Sequence, residues 1–246
     1  MTKTSILLPV YNEGESIYNL LAEYLRFGAL NHSLNFTIIV VNDNSSDETE
    51  KFIFAAIRDF PKLKINYKKN ESNKGLHGIL RDELYSLALD TEDIDVVVTM
   101  DGDNTHNPSI IAQMLIEIDQ GADIVIASRY CKDAKIIGLS LFRKILSLGA
   151  RLLYSSVWRI EGVKDYTTNY RAYKVEIIKR LVNEYGTEFI SEQGFTAVAE
   201  LLKKAKKFNP VIKEVPITLN YSNKLEPSNM KFFSTILNTL KLIFKK

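Results

Sequence analysis

One cysteine, Cys131, is present among 246 residues, which excludes an internal disulfide and fits a reducing compartment. No uninterrupted apolar stretch is long enough to span a bilayer. The apolar run after Met1-Thr2-Lys3-Thr4 ends at Pro9, too short and wrongly flanked for a signal peptide. Neither sign of charge is in excess: 32 Lys and Arg face 30 Asp and Glu, a net +2, so there is no bulk electrostatic case for a nucleic-acid partner. The three histidines, His32, His77 and His106, lack metal-ligand spacing, and no Cys or Ser nucleophile is coupled to them by any familiar pattern. No Gly-x-Gly-x-x-Gly follows the first apolar run and no Gly-Lys-Ser/Thr loop occurs, which argues against a dinucleotide-dependent dehydrogenase and a P-loop enzyme. The expected location is the cytoplasm, with any membrane contact peripheral.

What is present is an ordinary globular composition, 46% hydrophobic and 25% charged, with enough chain for a sizeable core. The first half alternates β-rich runs (5–10, 36–41, 64–67, 96–100, 123–128) with helically spaced apolar patterns (16–27, 47–58, 76–89, 108–118). That alternation predicts an α/β fold with a mostly parallel, doubly wound sheet, in which ligands bind beyond the carboxyl ends of the strands. In the second half, 138–157 reads as a basic amphipathic helix, 170–173 as a short strand or turn and 191–205 as a helix. The run 211–219 reads as a strand that Pro216 assigns to an edge, and 230–246 as an amphipathic C-terminal helix after a single domain spanning 1–229.

Three polar clusters follow strand candidates and should converge on one edge: Tyr11-Asn12-Glu13, Asp43-Asn44-Ser45 and Asp101-Gly102-Asp103. Each has a bland account. Asn12 can cap the next helix, Ser46 or Asp47 can cap the one after, and Asp101 and Asp103 can be turn formers around Gly102. The functional account is sharper. Two carboxylates on a loop leaving a sheet can share one hard divalent cation, Mg²⁺ or Mn²⁺, the counter-charge a nucleotide diphosphate needs. Asp43, at a strand end, can accept hydrogen bonds from a base edge or ribose.

In order along the chain, these motifs resemble the family 2 glycosyltransferases of GT-A fold, and within them the dolichyl- or polyprenyl-phosphate mannose (or glucose) synthases. The resemblance rests on Pro9-Val10-Tyr11-Asn12-Glu13, on Asn42-Asp43-Asn44-Ser45-Ser46-Asp47-Glu48-Thr49, and on Asp101 to Pro108. It continues through Gly121 to Tyr130, Arg143 with Ser147, Val163 to Tyr173, and Glu214-Val215-Pro216-Ile217, and so covers nearly the whole chain.

The resemblance implies that Pro9, Tyr11, Glu13, Val41 and Asp43 hold the nucleoside of a nucleotide-sugar donor. Asp101 and Asp103, around Gly102, would bind the metal. Arg129 would neutralise donor phosphate charge, Arg143 and Ser147 would meet the acceptor phosphate, and Lys224 would stand near the diphosphate. Asp165 is read either as part of the catalytic set or as the partner of Arg171 in an ion pair that supports the sugar pocket. The chain departs from the pattern at Asn42, in place of an acidic residue, at Thr105, in place of a Gln metal ligand, at Asn169-Tyr170, in place of a small pair, and in the tail at Ser222, Leu225 and Asn229.

The expected acceptor is a polyprenyl phosphate at a membrane surface. It is already anionic near neutral pH and needs no general base. The C-terminal helix, with Lys241, Lys245 and Lys246, either packs on the domain or lies in the interface. The basic helix bearing Trp158 could share that surface, and a membrane-protein partner could supply residence. Two alternatives stay open. The first is a glycan or other hydroxyl acceptor, with Asp165 or Glu192 as base; the second is a non-catalytic nucleotide-sugar binding protein.

Overall fold

The structure, a computed structural model, describes residues 2–90, 94–138, 141–221 and 242, with the backbone alone described at 141–146. The first half is built as β1 (Lys3–Val10), α1 (Ser16–Leu30), β2 (Asn35–Asn42), α2 (Thr49–Asp59), β3 (Ile65–Lys69), α3 (Gly75–Leu89), β4 (Val96–Thr99), α4 (Ile110–Asp119) and β5 (Ile124–Ser128). The second half adds β6 (Lys135–Ile137), α5 (Leu141–Trp158), β7 (Arg171–Lys174), α6 (Val175–Tyr185), α7 (Thr196–Ala205), β8 (Ile212–Pro216) and β9 (Thr218–Asn220).

The main sheet has the order β3-β2-β1-β4-β7-β5-β8. Its inner strands are buried on both faces, as near-continuous runs of Ile, Leu and Val require. Helix α1 places Ile17, Leu20, Leu21, Tyr24 and Phe27 on the sheet, a spacing of three and four residues. One apolar layer joins α1, α2 and α4 to one face; the other joins α3, α6, α7 and the end of α5 to the opposite face.

The expected parallel order holds except for β7, which runs antiparallel between β4 and β5. Its direction has a consequence for the site. The chain reaches the carboxyl edge through the 164–169 loop and then returns to the amino edge along β7.

Several expectations are corrected. The helix expected over 191–205 forms only as Thr196–Ala205, because the buried Glu200 carboxylate accepts the backbone N–H groups of Ser191 and Glu192 and holds them as a turn. The strand expected over 211–219 divides at Pro216. β8 is an edge strand, as Pro216 indicated, and β9 pairs with β6 in a separate two-stranded sheet. Helix α6 was not anticipated, although Val175, Ile178, Leu181 and Val182 carry its buried stripe.

Trp158 does not face a membrane. It is buried, its ring centroid 4.6 Å from that of Tyr154 and 5.9 Å from that of Tyr166. The expected C-terminal helix lies outside the described residues apart from Leu242, which is buried in the layer that contains Trp158. No helix among the described residues is long and apolar enough to cross a membrane.

The turn that leads from α5 to the site lies flush on β8. Gly162 adopts φ +78°, and a Cβ there would stand 2.3 Å from the Ile212 carbonyl oxygen. Gly162→Ala therefore combines left-handed strain with a backbone collision, and should lower unfolding stability by about 2–3 kcal/mol in a urea titration. Unchanged stability would show that this close approach is not a constraint on the fold.

Candidate functional site

The loops after β1, β2 and β4 each contain an asparagine in the left-handed region, Asn12, Asn44 and Asn104. Asparagine tolerates this conformation better than other side chains bearing a Cβ, and it allows each loop to turn sharply off its strand. Asn12 does not cap α1. Its amide instead grips the second loop, accepting the Ser46 N–H at 2.8 Å, while its own N–H donates to Ser45 Oγ at 3.0 Å. Thr49 Oγ1 accepts the N–H groups of Glu13 and Gly14, each at 2.9 Å. Asp47 does act as a local cap, accepting the Thr49 N–H at 3.0 Å.

Register places Pro9 opposite Val41, and the Asp43 N–H donates to the Val10 carbonyl, so the nucleoside candidates Pro9, Tyr11, Glu13, Val41 and Asp43 share one sheet edge. The Asp43 carboxylate is buried. It accepts Asn70 Nδ2 at 2.7 Å and the backbone N–H groups of Lys74 and Gly75 at 2.9 and 2.7 Å, which orients the start of α3. Asn42 is likewise spent on structure, donating to the Tyr67 hydroxyl and accepting the Ser45 N–H. Burial and the Glu50 carboxylate push the Tyr67 hydroxyl up to about 12, so it stays protonated.

Asp101, Gly102 and Asp103 follow β4 on the same edge. Gly102 is there for contact rather than for turning: a Cβ would lie 2.8 Å from Val10 Cγ2 and 2.9 Å from the Pro9 carbonyl oxygen. The loop can therefore press against the nucleoside-side turn. Asp103 Oδ1 accepts the Thr105 N–H at 3.1 Å and the Thr105 hydroxyl at 2.7 Å. Asp101 Oδ1 accepts Asn169 Nδ2 at 3.0 Å.

Among the described residues, no three of His, Cys, Asp and Glu gather as a self-sufficient metal cluster. Two carboxylates on a loop supply hard oxygen donors, and Mg²⁺-type sites are commonly built from one or two carboxylates, water and substrate phosphates. The donor set fits such a cation. His106 is buried against the Tyr170 ring, with centroids 5.2 Å apart, which gives it a packing role.

Arg129, just beyond β5, is forked onto Asp165. Nε meets Oδ2 at 2.8 Å and Nη2 meets Oδ1 at 2.6 Å, while Nη2 also reaches Thr167 Oγ1 at 2.6 Å. Asp165 is fully buried and the Arg129 side chain only 13% exposed. Burial opposes the Asp165 charge, but the guanidinium and the hydrogen bonds overcome it and hold the carboxyl below its ordinary value. Burial likewise opposes the Arg129 charge, and Asp165 reverses the effect, so the guanidinium is raised.

The alternative pairing of Asp165 with Arg171 is not formed. Arg171 lies on β7, where its fully buried guanidinium donates to the carbonyls of Val198 and Tyr166 and to the Tyr173 hydroxyl. Arg171 begins β7 opposite Thr99 at the end of β4, and it is excluded from Asp165 because its guanidinium is taken by these acceptors.

Ser147 is on α5, where Tyr130 reaches it: the phenol oxygen is 2.7 Å from Ser147 Oγ and 2.9 Å from its carbonyl oxygen. Arg143 belongs to the same helix, but its side chain lies outside the described residues, as does Lys224. Sequence reasoning missed Asn169, Tyr130 and Glu214. The Glu214 carboxylate accepts the N–H groups of Lys164 and Asp165 at 2.6 and 2.7 Å, fixing the loop from behind. The signal for Glu214 lay in the Glu-Val-Pro-Ile match; for Asn169 it lay in the departure from a small residue.

Residues 5–182 match the sequence family described as Glycosyl transferase family 2. The Dolichol-phosphate mannosyltransferase of Pyrococcus furiosus is 30% identical over 245 residues, 99% of this chain and 63% of that protein. This chain therefore spans less than two thirds of that relative's length. The Polyprenol monophosphomannose synthase of Mycolicibacterium smegmatis is 26% identical over 238 residues, 93% of this chain and 83% of that protein. Among solved structures, Mycobacterium tuberculosis glucosyl-3-phosphoglycerate synthase in complex with Mn²⁺, UDP and glucosyl-3-phosphoglycerate is similar at a TM-score of 0.64 and 17% identity. That likeness covers 98% of this chain and 77% of that one. It supports the fold, an α/β architecture of GT-A type.

The buried pair yields a stability prediction. Asp165→Asn keeps the shape and leaves the Arg129 charge uncompensated, so it should cost about 3–5 kcal/mol near neutral pH. Because the folded Asp165 pKa is depressed, its contribution is complete above the unfolded value and lost as pH falls through the folded one. The difference between wild type and variant in denaturant titrations should stay constant from about pH 7 to 5 and shrink below about pH 4. A difference that already fades at pH 6 would contradict the assignment.

Proposed function

The chain belongs to glycosyl transferase family 2, and from that premise we propose that it is a metal-dependent, inverting hexosyltransferase acting on a polyprenyl or dolichyl phosphate. The donor is a nucleotide sugar, GDP-mannose or UDP-glucose, and the enzyme works peripherally at the cytoplasmic membrane face. The likeness to a dolichol-phosphate mannosyltransferase, a polyprenol monophosphomannose synthase and an undecaprenyl-phosphate mannosyltransferase supports this substrate class.

The observation that carries the reading is the state of Asp165. A hydroxyl acceptor calls for a positioned base whose pKa approaches the working pH. Asp165 is buried, doubly bonded to Arg129 and held below its ordinary value, the opposite of such a base. A phosphate monoester needs none, because its oxygens are already anionic.

The residues then have positioning work. Pro9, Tyr11, Glu13, Val41 and Asp43 flank the nucleoside, and Ser147 with Arg143 meets the acceptor phosphate. An acceptor oxygen forms the new bond to the anomeric carbon from the face opposite the nucleotide; the bond from that carbon to the diphosphate oxygen breaks, and the nucleoside diphosphate leaves with the electron pair. Asp101 and Asp103 would hold a Mg²⁺ or Mn²⁺ ion that offsets the charge of the departing diphosphate. Leu148 and Leu152, at 46% and 59% exposure on α5, offer apolar surface beside Ser147 for a prenyl chain.

The test is incubation of the protein with radiolabelled GDP-mannose or UDP-glucose and polyprenyl phosphate, with and without Mn²⁺. Label should enter the lipid fraction only with the metal, and Asp101→Asn should reduce the rate by about 10²-fold or more. Label in a saccharide acceptor with none in lipid would overturn the proposal in favour of a hydroxyl acceptor.

A further inference from the structure

We infer that Arg151 is a cationic ligand of the acceptor phosphate, seated beside Ser147 by the Tyr130 ring. The inference rests on the phosphate-acceptor reading above and deepens it. It starts from a shortage of charge. Arg129, just beyond β5, is bound through two nitrogens to both oxygens of Asp165 and through one of them to Thr167. A buried, forked pair presents little net charge to an incoming dianion, which leaves Arg143 as the one cation so far assigned to it and favours a second on the same helix.

Arg151 has the position and the freedom. It lies one helical turn beyond Ser147 and two beyond Arg143 on α5, on the same stripe of the helix. Its guanidinium carbon stands 4.4 Å from the centroid of the Tyr130 ring, and the hydroxyl of that ring is 2.7 Å from Ser147 Oγ. One aromatic side chain thus aligns a hydroxyl and a guanidinium. Among the described residues no carboxylate pairs with Arg151, which is partly exposed.

Stacking uses the face of the guanidinium and leaves its in-plane N–H groups for oxygen acceptors, the geometry suited to a phosphate. The neighbours fit a lipid rather than a free anion. Leu148 and Leu152 flank Arg151 and are exposed, so a headgroup held at Ser147 and Arg151 leaves its chain over apolar surface.

The experiment compares wild type with Arg151→Gln, Arg151→Lys and Tyr130→Leu, with polyprenyl phosphate presented in neutral detergent micelles so that vesicle binding plays no part. Arg151→Gln should raise the acceptor KM about tenfold or more while the nucleotide-sugar KM and Tm stay at wild-type values. Arg151→Lys should recover only part of the loss, because an ammonium cannot stack and present a planar fork together. Tyr130→Leu, which removes the platform, should raise the acceptor KM as well. An acceptor KM within twofold of wild type in both Arg151 variants overturns the inference, as does a rise in both KM values together with a fall in Tm, which marks a structural role. Wild-type protein that makes no lipid-linked sugar from any donor overturns the phosphate-acceptor reading, and the inference with it.

Discussion

The arrangement at the carboxyl edge depends on the buried contact between Arg129 and Asp165. Taking both charges out of water is costly, and the contact persists because each group is nearly saturated. Asp165 accepts the Arg129 fork, the Arg129 N–H and the N–H groups of Thr167 and Thr168. Glu214, from the edge strand, takes the N–H groups of Lys164 and Asp165 on the other side. The loop is therefore held from β5 and from β8 at once, and its far end, Asn169, arrives at Asp101 in a fixed place. Loss of the pair would release the loop that links the two halves of the site, so its effect extends well beyond one bond.

That architecture suits a reaction whose difficulty is placing anions rather than moving protons. An ionised acceptor needs orientation and charge compensation, and both are supplied most effectively by groups that are fixed before substrate arrives. The site follows this logic in its treatment of carboxylates. Asp43 and Glu214 each accept two backbone N–H groups and Asp165 accepts three, which makes them struts for loops. Asp101 accepts the Asn169 side-chain amide, and Asp103 accepts both the hydroxyl and the backbone N–H of Thr105.

Much of this was legible in the sequence, for a physical reason. A buried parallel strand announces itself as an apolar run, and the polar residues immediately after it must stand at the sheet edge, so the three clusters at Tyr11, Asp43 and Asp101 could be placed together without coordinates. What could not be read were partnerships between distant segments. The resemblance pairs Asp165 with Arg171, six residues on, but the partner that fits is Arg129, just beyond the strand that follows α4. The Arg171 guanidinium is taken instead by the Val198 and Tyr166 carbonyls, and no local pattern encodes that choice. The same limit applies to Asn12, which satisfies loop two rather than its own helix, and to Trp158, whose amphipathic helix looked surface-bound until Tyr154 and Tyr166 were found against it.

The departures from the family pattern have a coherent structural sense. Where the resemblance implies a small pair, Asn169 supplies a donor to Asp101, and the Tyr170 hydroxyl donates to the Asn107 carbonyl at 3.0 Å, bracing the far side of the same loop. Where it implies a Gln, Thr105 instead bonds to Asp103 twice. One aspartate is thus set from within its own loop and the other from the loop that ends on Arg129. Asn42, where the resemblance implies an acidic residue, uses its amide to join Tyr67 to Ser45. In each described case the residue that departs from the pattern positions a neighbour: Asn169 holds Asp101, Thr105 holds Asp103 and Asn42 holds Ser45.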